Sequence, residues 1–491
     1  MTRKPVFTFV FALLFMGLVC PVSAEQVTIE KDVLEKILQR QEALEEKIEM
    51  MEKGGKPAGT TTETGYLKED VEDLSERLDK VETKSILDRI TIGGDFRTRM
   101  DSFKYRDTLA GGQEDDADVN DLWSSRLRLN LKGEITDNII FHGRLSYFKL
   151  WGDNNFDGML TDMTAPSISD LEGNIHVERA YLDYFVPGTP LSFTIGRVPS
   201  GEGPPNGLRD NTSRKATWPK LVIDGEADGI IANLSLDKWT GLTNSMFRLV
   251  YAKIFQNYQD YMGVNLDDSP ALTAAFEMEV PGIEDSMVWL SYTKILDLPS
   301  LTSVPESVPL TVTGFPDNSG DMDLFVFHLQ FNDIKKSGLD WFLASSYLKT
   351  RAGSDGTEFF GGLYEVGLFG DNLNGNLGDD QDGYCIYTGL RYELPVEALK
   401  YPKIGLEYSH GSKHWTGLLS AGSGDIINKI GVNGNTYELY YIQPIDKKHM
   451  FLRFGAVYMD YDYYNPMMVY GSQPESDMSI TNYYCLMDVR F

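Results

Sequence analysis

Cysteine is scarce in this chain of 491 residues, which has three and no pair spaced Cys-x-x-Cys. This scarcity excludes a disulfide-stapled fold, zinc ribbons and c-type haem attachment. Basic residues are outnumbered as well, since 45 Lys and Arg oppose 73 Asp and Glu and give a formal net charge of -28. A chain this acidic is poorly suited to wrapping nucleic acid, so we expect no nucleic-acid partner.

Long apolar runs are absent except at residues 6–19. Because 24% of the residues are charged and the mean hydropathy is -0.27, the chain does not fit a polytopic helical membrane protein. The single run follows two basic residues and precedes a small-residue cleavage site at 22–24, which is the arrangement of an export signal. We therefore expect residues 1–24 to be a signal peptide. Acylation of Cys20 is a less favoured alternative, because the two residues before it are not small.

Heptad spacing of apolar residues characterises the next segment, residues 25–89. A Gly/Thr/Pro-rich stretch at 54–65 interrupts it and cannot be helical throughout. The pattern predicts a short periplasmic coiled coil with a flexible linker, whose apolar seam residues are Val27, Leu34, Ile37, Leu44, Ile48 and Met51, then Leu67, Val71, Leu74, Leu78 and Val81. The alternative is two amphipathic helices that pack on the chain's own body. Polar faces crowded with Glu and Lys favour self-association.

From Ile90 onward the period of the apolar residues changes to two. Leu127, Leu129 and Leu131, for example, alternate with charged or polar residues, which predicts strands with one apolar and one polar face. Sixteen such segments fit between 91–103 and 481–491. Soluble sandwiches also contain alternating strands, so the connections between strands have to decide the fold.

The connections alternate strictly in length. Tight turns at 136–138, 187–190 and 444–448 contrast with long polar links at 199–227, 351–382 and 411–434. Short turns at one end, long loops at the other and an even strand count are typical of bacterial outer-membrane barrels. We therefore predict an all-β fold, a 16-stranded antiparallel transmembrane β-barrel over residues 90–491, surrounded by lipid in the outer membrane of a Gram-negative bacterium.

The final strand ends on Phe491 and places Tyr483, Cys485, Met487 and Val489 on the same face. An exposed apolar strand at the end of a soluble chain would be an aggregation hazard. A terminal Phe on an alternating strand instead resembles the recognition signal by which the outer-membrane assembly machinery takes up barrels. We therefore expect that machinery to be a partner of this chain.

The stretch Glu178-Arg179-Ala180-Tyr181-Leu182-Asp183-Tyr184, followed after a turn by Phe193-Thr194-Ile195-Gly196-Arg197, resembles the strand-turn-strand of sixteen-stranded trimeric porins, including the phosphate-selective type. The overall organisation is similar to an uncharacterised porin-like family with a signal peptide, a coiled-coil segment and a barrel. The resemblance implies a homotrimeric, water-filled channel for passive diffusion of small hydrophilic solutes, with the third long loop folded inward as a constriction. No lysine ladder is present, so phosphate selectivity is not implied.

Charged residues on the non-lipid face of the barrel form the candidate site. By strand parity six arginines point inward, and we call them the arginine wall: Arg97, Arg99, Arg126, Arg128, Arg144 and Arg179. Inward acids, among them Glu277 and Glu279, lie further round the barrel. Opposed walls of positive and negative charge would select polar solutes without a binding pocket. The alternative is that these arginines only join strands through salt bridges to acids such as Asp95 and Asp101.

If the third long loop folds inward, its basic residues Arg209, Arg214 and Lys215 join the arginine wall near the narrowest section. Glu202 and Asp210 of the same loop partly offset them. Acids in the predicted coiled coil and the long loops are screened by salt beyond roughly 8 to 10 Å. We therefore expect weak anion preference or near neutrality, in spite of the net charge of the chain.

Recognisable catalytic motifs are missing, since the sequence has no GxSxG, HExxH or P-loop. Asp-rich stretches at 153–158 and 371–383 do not form complete calcium loops. We therefore expect no catalytic residues, no metal site and no cofactor, and do not expect an enzyme. Two alternatives to a porin stay open: a structural tether that uses the coiled coil, and, less favoured, an outer-membrane enzyme.

Overall fold

The structure, a computed structural model, describes residues 89–109, 113–152, 175–255, 268–298, 320–351, 353–359, 362–366, 380–417, 426–446, 449–463 and 475–491. All of them belong to the second of the chain's two units, Lys84–Phe491. The predicted signal peptide, and all but the last residue of the predicted coiled-coil segment, lie outside the described residues.

Sixteen antiparallel strands close into one barrel, which confirms the predicted β-barrel architecture. The barrel strands are β1 (Ile90–Leu109), β2 (Gln113–Thr136), β3 (Ile139–Leu150), β4 (Ile175–Phe185), β5 (Leu191–Val198), β6 (Ala227–Ser235), β7 (Met246–Phe255), β8 (Ser269–Met278), β9 (Ser286–Ile295), β10 (Asp321–Phe331), β11 (Leu339–Arg351), β14 (Gln381–Glu393), β15 (Lys403–Gly411), β16 (Gly434–Asp446), β17 (Met450–Tyr461) and β18 (Ser479–Arg490). Consecutive barrel strands pair with each other, and β1 closes on β18.

Two features differ from the sequence prediction. The sequence pattern predicts the first two strands at 91–103 and 122–135, whereas β1 continues to Leu109 and β2 begins at Gln113, and the two pair along most of their length. The link predicted at 351–382 contains a separate hairpin, β12 (Gly353–Phe359) with β13 (Gly362–Val366). Residues 113–118 carry four acids among six residues, on both faces of the strand, so the alternation that reveals a strand is missing there.

Two one-turn α-helices lie in the connections that the structure describes. Helix α1 (Asn206–Arg209) lies between β5 and β6, and α2 (Asp237–Thr240) lies between β6 and β7. Within the described part of the chain, no helix is long and apolar enough to cross a lipid bilayer.

The outward face of the barrel is apolar. Large side chains stand about half exposed at alternate strand positions, among them Ile195, Ile230, Leu249, Leu272, Leu290, Leu406, Leu439 and Tyr483. Their strand neighbours Thr194, Ile231 and Ser291 are buried inside the barrel. An apolar band around a closed barrel, with all strand hydrogen bonds made internally, fits surrounding lipid.

The interior of the barrel is packed with apolar side chains on one side. Inward residues of β9, β10, β11 and β14 form a cluster with Trp289, Leu324, Val326, Phe342 and Tyr387. A second cluster joins inward residues of β16, β17 and β18 to the link before β16, with Tyr440, Val457, Ile480, Ile426 and Ile427. Chain segments that enter the barrel therefore bury these surfaces.

Candidate functional site

The link between β5 and β6, residues 199–226, folds into the barrel, and we call it the inward loop. Its side chains Leu208, Trp218 and Leu221 are at most 4% exposed and belong to the apolar cluster of β9–β14. The rings of Trp218 and Trp289 meet edge-on, with centroids 5.1 Å apart. The inward path that the porin resemblance implies for the third long loop is confirmed by these contacts.

A tight turn in the inward loop presents Glu202 to the arginine wall. Glu202 has a φ of 67°, a left-handed conformation that is uncommon for a residue with a Cβ atom. A Cβ atom on the next residue, Gly203, would lie 1.6 Å from the carbonyl oxygen of Trp218. The backbone N–H of Glu202 donates to Asp224 Oδ1 at 2.8 Å, so residues of the loop itself brace the turn.

Four members of the arginine wall surround the Glu202 carboxylate. Arg128 on β2 donates to Oε1, and Arg144 on β3 donates to Oε2 at 2.9 Å. Arg126 Nη1 lies 3.6 Å from Oε1, and Arg179 Nη2 lies 4.0 Å from Oε2. Glu202 is 2% exposed, and all four arginines are buried. Guanidinium groups from three strands thus engage both oxygens of one carboxylate, and we call this group of side chains the Glu202 cluster.

Salt bridges within the strands are also present, as the alternative interpretation of the arginines predicts. Asp95 on β1 accepts a hydrogen bond from Arg126 at 2.9 Å. Arg99 pairs with Asp101 at 2.7 Å, and its guanidinium carbon lies 4.4 Å from the centre of the Tyr484 ring. The two interpretations therefore coexist, because the same arginine can pair with a strand acid and face the inward loop.

Glu178 on β4 is a member of this cluster that sequence reasoning missed. It lies 2.8 Å from Arg128 and 2.9 Å from Arg144. Strand parity assigns Glu178 to the outward face, because Arg179 points inward. The register between β3 and β4 shifts beside Arg144, and this bulge places both residues inside the barrel. A bulge leaves no periodic trace in the sequence.

The charges of the cluster act strongly on the inward loop. Burial raises the pKa of the Glu202 carboxyl, but Arg128, Lys215 and Arg144 together outweigh burial and hold the pKa well below its usual range. For Lys215, burial lowers the pKa, and the opposing effect of Glu202 does not fully compensate. Glu202 is therefore ionised at neutral pH.

A second set of ion pairs fixes the middle of the inward loop. Asp210 lies 3.2 Å from Arg97 on β1 and 2.9 Å from Arg453 on β17. Arg97 also pairs with Asp488 on β18 at 2.9 Å. Arg97 therefore connects the loop to the seam where the first and last strands close the barrel.

The predicted basic residues of the loop do not all join the arginine wall. Arg209 pairs with Glu438 on β16 at 3.3 Å. Lys215 is close enough to Glu202 for each to act on the pKa of the other. Of the two, only Lys215 belongs to the Glu202 cluster.

Arg214 reaches the acids that were predicted further round the barrel. It pairs with Glu277 on β8, which Arg248 on β7 also contacts at 2.9 Å. Glu279 lies beyond the end of β8 and accepts a hydrogen bond from Asn244 in the β6–β7 connection. The inward loop thus forms ion pairs with the arginine wall through Glu202 and with Glu277 on β8 through Arg214.

A cavity of about 570 Å³ remains between the inward loop and the short-turn ends of β7–β10. Its polar and charged lining includes Arg214, Arg248, Glu277, Glu279, Gln330 and Asn332. A smaller cavity of about 230 Å³ adjoins Lys132, His142 and Tyr181 on the side of the arginine wall. Both spaces are large enough for water and small polar solutes.

Among the described residues, no group of three or more His, Cys, Asp or Glu side chains is placed to hold a metal ion. The Asp-rich stretch at 153–158, and most of the one at 371–383, lie outside the described residues.

Residues 116–488 match the model of a family described as "Protein of unknown function (DUF3373)". No curated protein sequence matches the chain. Among solved structures, the chain is similar to OmpT, an outer membrane protein of Vibrio cholerae, at 10% identity and a TM-score of 0.41. It is also similar to Salmonella typhi OmpF in a complex with daunomycin (10% identity, TM-score 0.43) and to the outer membrane channel DcaP of Acinetobacter baumannii (12% identity, TM-score 0.40). Each likeness covers 82% of this chain and 97% of the other, and at these identities it is one of fold alone.

Proposed function

This chain belongs to the family described as "Protein of unknown function (DUF3373)", and on that premise we propose that it is an outer-membrane porin, a homotrimeric channel for passive diffusion of small hydrophilic solutes. One observation carries the proposal: the inward loop crosses the interior of a closed sixteen-stranded barrel and forms ion pairs with strands on opposite sides of it. The apolar outward face supports insertion of the barrel in a lipid bilayer.

The inward loop acts as the constriction of this channel. Solutes pass beside it through the polar spaces that border Arg214, Glu277 and Glu279 on one side and Lys132 and His142 on the other. Ionised side chains of both signs orient water and dipolar solutes there, whereas an apolar solute makes no favourable electrostatic interaction with them. Selection therefore depends on size and polarity.

Single-channel recording tests the proposal. Full-length protein purified in mild detergent and added to a planar bilayer in concentrated KCl should produce discrete conductance steps. The same protein denatured by heat before addition is the control and should produce none. Protein that inserts into the bilayer but yields no steps would contradict a channel function.

A further inference from the structure

The Glu202 cluster has the organisation of an anion site whose occupant comes from the inward loop. The strands already supply partners for their own arginines: Asp95 for Arg126, and Glu178 for both Arg128 and Arg144. Glu202 is an additional carboxylate, which enters a space whose shape the strands determine. Planar guanidinium groups are the protein groups best matched to a carboxylate.

Hydrogen-bond donors in the cluster exceed what Glu202 can satisfy. Arg126 Nε and Lys215 Nζ are buried, and neither has a hydrogen-bond acceptor within the described part of the chain. Only 4% of the surface of Arg126 is exposed, so solvent has little access to its Nε. A free anion, which is not tied to a backbone, could approach these donors in orientations that a loop side chain cannot reach.

Charge balance links the position of the inward loop to anion binding. Without Glu202, the four strand arginines face only two carboxylates, Asp95 and Glu178; the arginines are Arg126, Arg128, Arg144 and Arg179. Unpaired buried charges are strongly unfavourable. The turn that carries Glu202 can therefore move away from the arginines at low cost only when another anion takes the place of the Glu202 carboxylate.

The turn that presents Glu202 is conformationally costly. The φ of 67° is unfavourable for an L-residue other than glycine. We propose that Glu202 is an internal substitute for a small carboxylate solute, so that a carboxylate anion that binds the arginines displaces Glu202 and loosens the part of the inward loop that lies against them. The physiological meaning of this displacement rests on the proposed channel function.

Thiol labelling measures the loop position without any need for conduction. Ala216 is 6% exposed in the inward loop, and Ala216→Cys introduces a small reporter there. Full-length Ala216→Cys protein in mild detergent would be labelled with a small cationic thiol reagent in sodium chloride or sodium acetate of equal ionic strength. The parent chain, in which Cys385 is buried and Cys485 partly buried, gives the background.

Acetate should accelerate labelling of Ala216→Cys at least about fivefold over chloride, because it replaces the Glu202 carboxylate. Adding Glu202→Gln should produce the fast rate in chloride and abolish the acetate effect. Glu226→Gln is the matched control: it removes a carboxylate at the end of the same loop that pairs with Arg197 and His176 instead of the arginine wall, and it should behave like its parent. Equal rates in acetate and chloride, or a Glu202→Gln rate equal to its parent's, would overturn the proposal.

Planar-bilayer recording separates this proposal from the channel function. If both hold, acetate and Glu202→Gln each raise the conductance. Acetate-dependent labelling without conductance in any variant would keep the displacement and reject the channel. Conductance without any effect of acetate or Glu202→Gln on labelling would keep the channel and reject the displacement.

Discussion

At the residue scale, the interior of this barrel places many ionised side chains of opposite sign in direct contact with one another. Arg97, for example, is 3% exposed and shares two carboxylates, Asp210 and Asp488. Neutralising one member of such a group leaves its partner charged and buried, which costs more than the pair itself contributes. A single substitution in this group should therefore destabilise the folded protein more than a substitution of an exposed charged residue.

Ionisation of Glu202 gives a pH prediction. A depressed pKa in the folded protein means that the carboxylate stabilises the loop contact at every pH above the unfolded value, about 4.3, and that this stabilisation is lost only as the pH falls through the lower folded value. We expect single-channel conductance to stay constant from pH 7 to about pH 4.5 and to rise only below that. Glu202→Gln should lack the acid-induced rise. A rise near pH 6 in the wild type would contradict this assignment.

Phe491 takes part in closing the barrel, although its side chain is exposed. Its backbone N–H donates to the Gly94 carbonyl at 3.1 Å and its carbonyl accepts from the Gly94 N–H at 2.8 Å. A ring atom of Phe491 lies 2.7 Å from the position that a Cβ atom on Gly94 would occupy, yet Phe491 is 62% exposed. Phe491→Ala keeps both backbone bonds, so it should reduce outer-membrane levels much more than it changes the urea midpoint of refolded protein. Phe454→Ala, at an outward position on β17 that is 45% exposed, is the control, and equal membrane levels for both variants would argue against a signal.

At the scale of the element, the inward loop is held by two different kinds of contact. Apolar burial of Leu208, Trp218 and Leu221 fixes it to β9–β14, and ion pairs of Glu202 and Asp210 fix it to the other side. The barrel strands make their backbone hydrogen bonds with each other, so their pairing does not depend on the loop.

Shortening the inward loop should therefore open the barrel without unfolding it. Replacing residues 204–221 with a short Gly/Ser linker should raise single-channel conductance several-fold, while circular dichroism retains the strand signal. Removal of the β12–β13 hairpin, residues 353–366, is the comparison and should leave conductance near the wild-type value. Loss of the strand signal in the first variant would show that the barrel depends on the loop.

At the scale of the whole molecule, net charge and local charge differ. The chain carries -28, yet positive and negative residues face each other in the barrel interior within 4 Å. Ions in a channel respond to the charges at its narrowest section, because charges beyond about 8 to 10 Å are screened by salt.

Reversal potentials in a salt gradient should accordingly indicate weak anion preference or near neutrality. Arg126→Ala/Arg128→Ala removes two cations that face Glu202 and should shift the preference toward cations. Arg106→Ala, at an exposed position on β1, is a control that should leave it unchanged. Strong cation selectivity that the double substitution does not alter would refute a selective role for the arginine wall.

Assembly gives the remaining prediction. The heptads of residues 25–89 and the porin resemblance predict a heat-modifiable trimer. Deleting residues 25–89 should weaken the trimer in mild detergent but leave the barrel folded, because barrel strands satisfy their own hydrogen bonds. The intact chain, analysed in parallel by electrophoresis with and without heating, is the reference. A monomeric intact protein would contradict the prediction.

The sequence by itself determined the barrel. Alternation with a period of two is a local property of extended backbone, and the alternation of short and long connections is a property of chain order, so all sixteen barrel strands could be placed from them. The same parity put Arg126, Arg128, Arg144 and Arg179 on the inward face, where they lie. Alternation is missing at 113–118, where both faces of the strand are acidic, and parity does not reveal the inward position of Glu178 at the bulge.

Only the tertiary structure decided which charges meet. Arg97 and Asp488 are 391 residues apart in the chain, and Glu202 lies 58 residues from Arg144. Such pairs form because the barrel closes and the inward loop crosses it, and no local pattern encodes those distances. The path of the loop depends on how well Trp218 and Leu221 fit against side chains of four distant strands, since packing is a property of shape in three dimensions and not of periodicity along the chain.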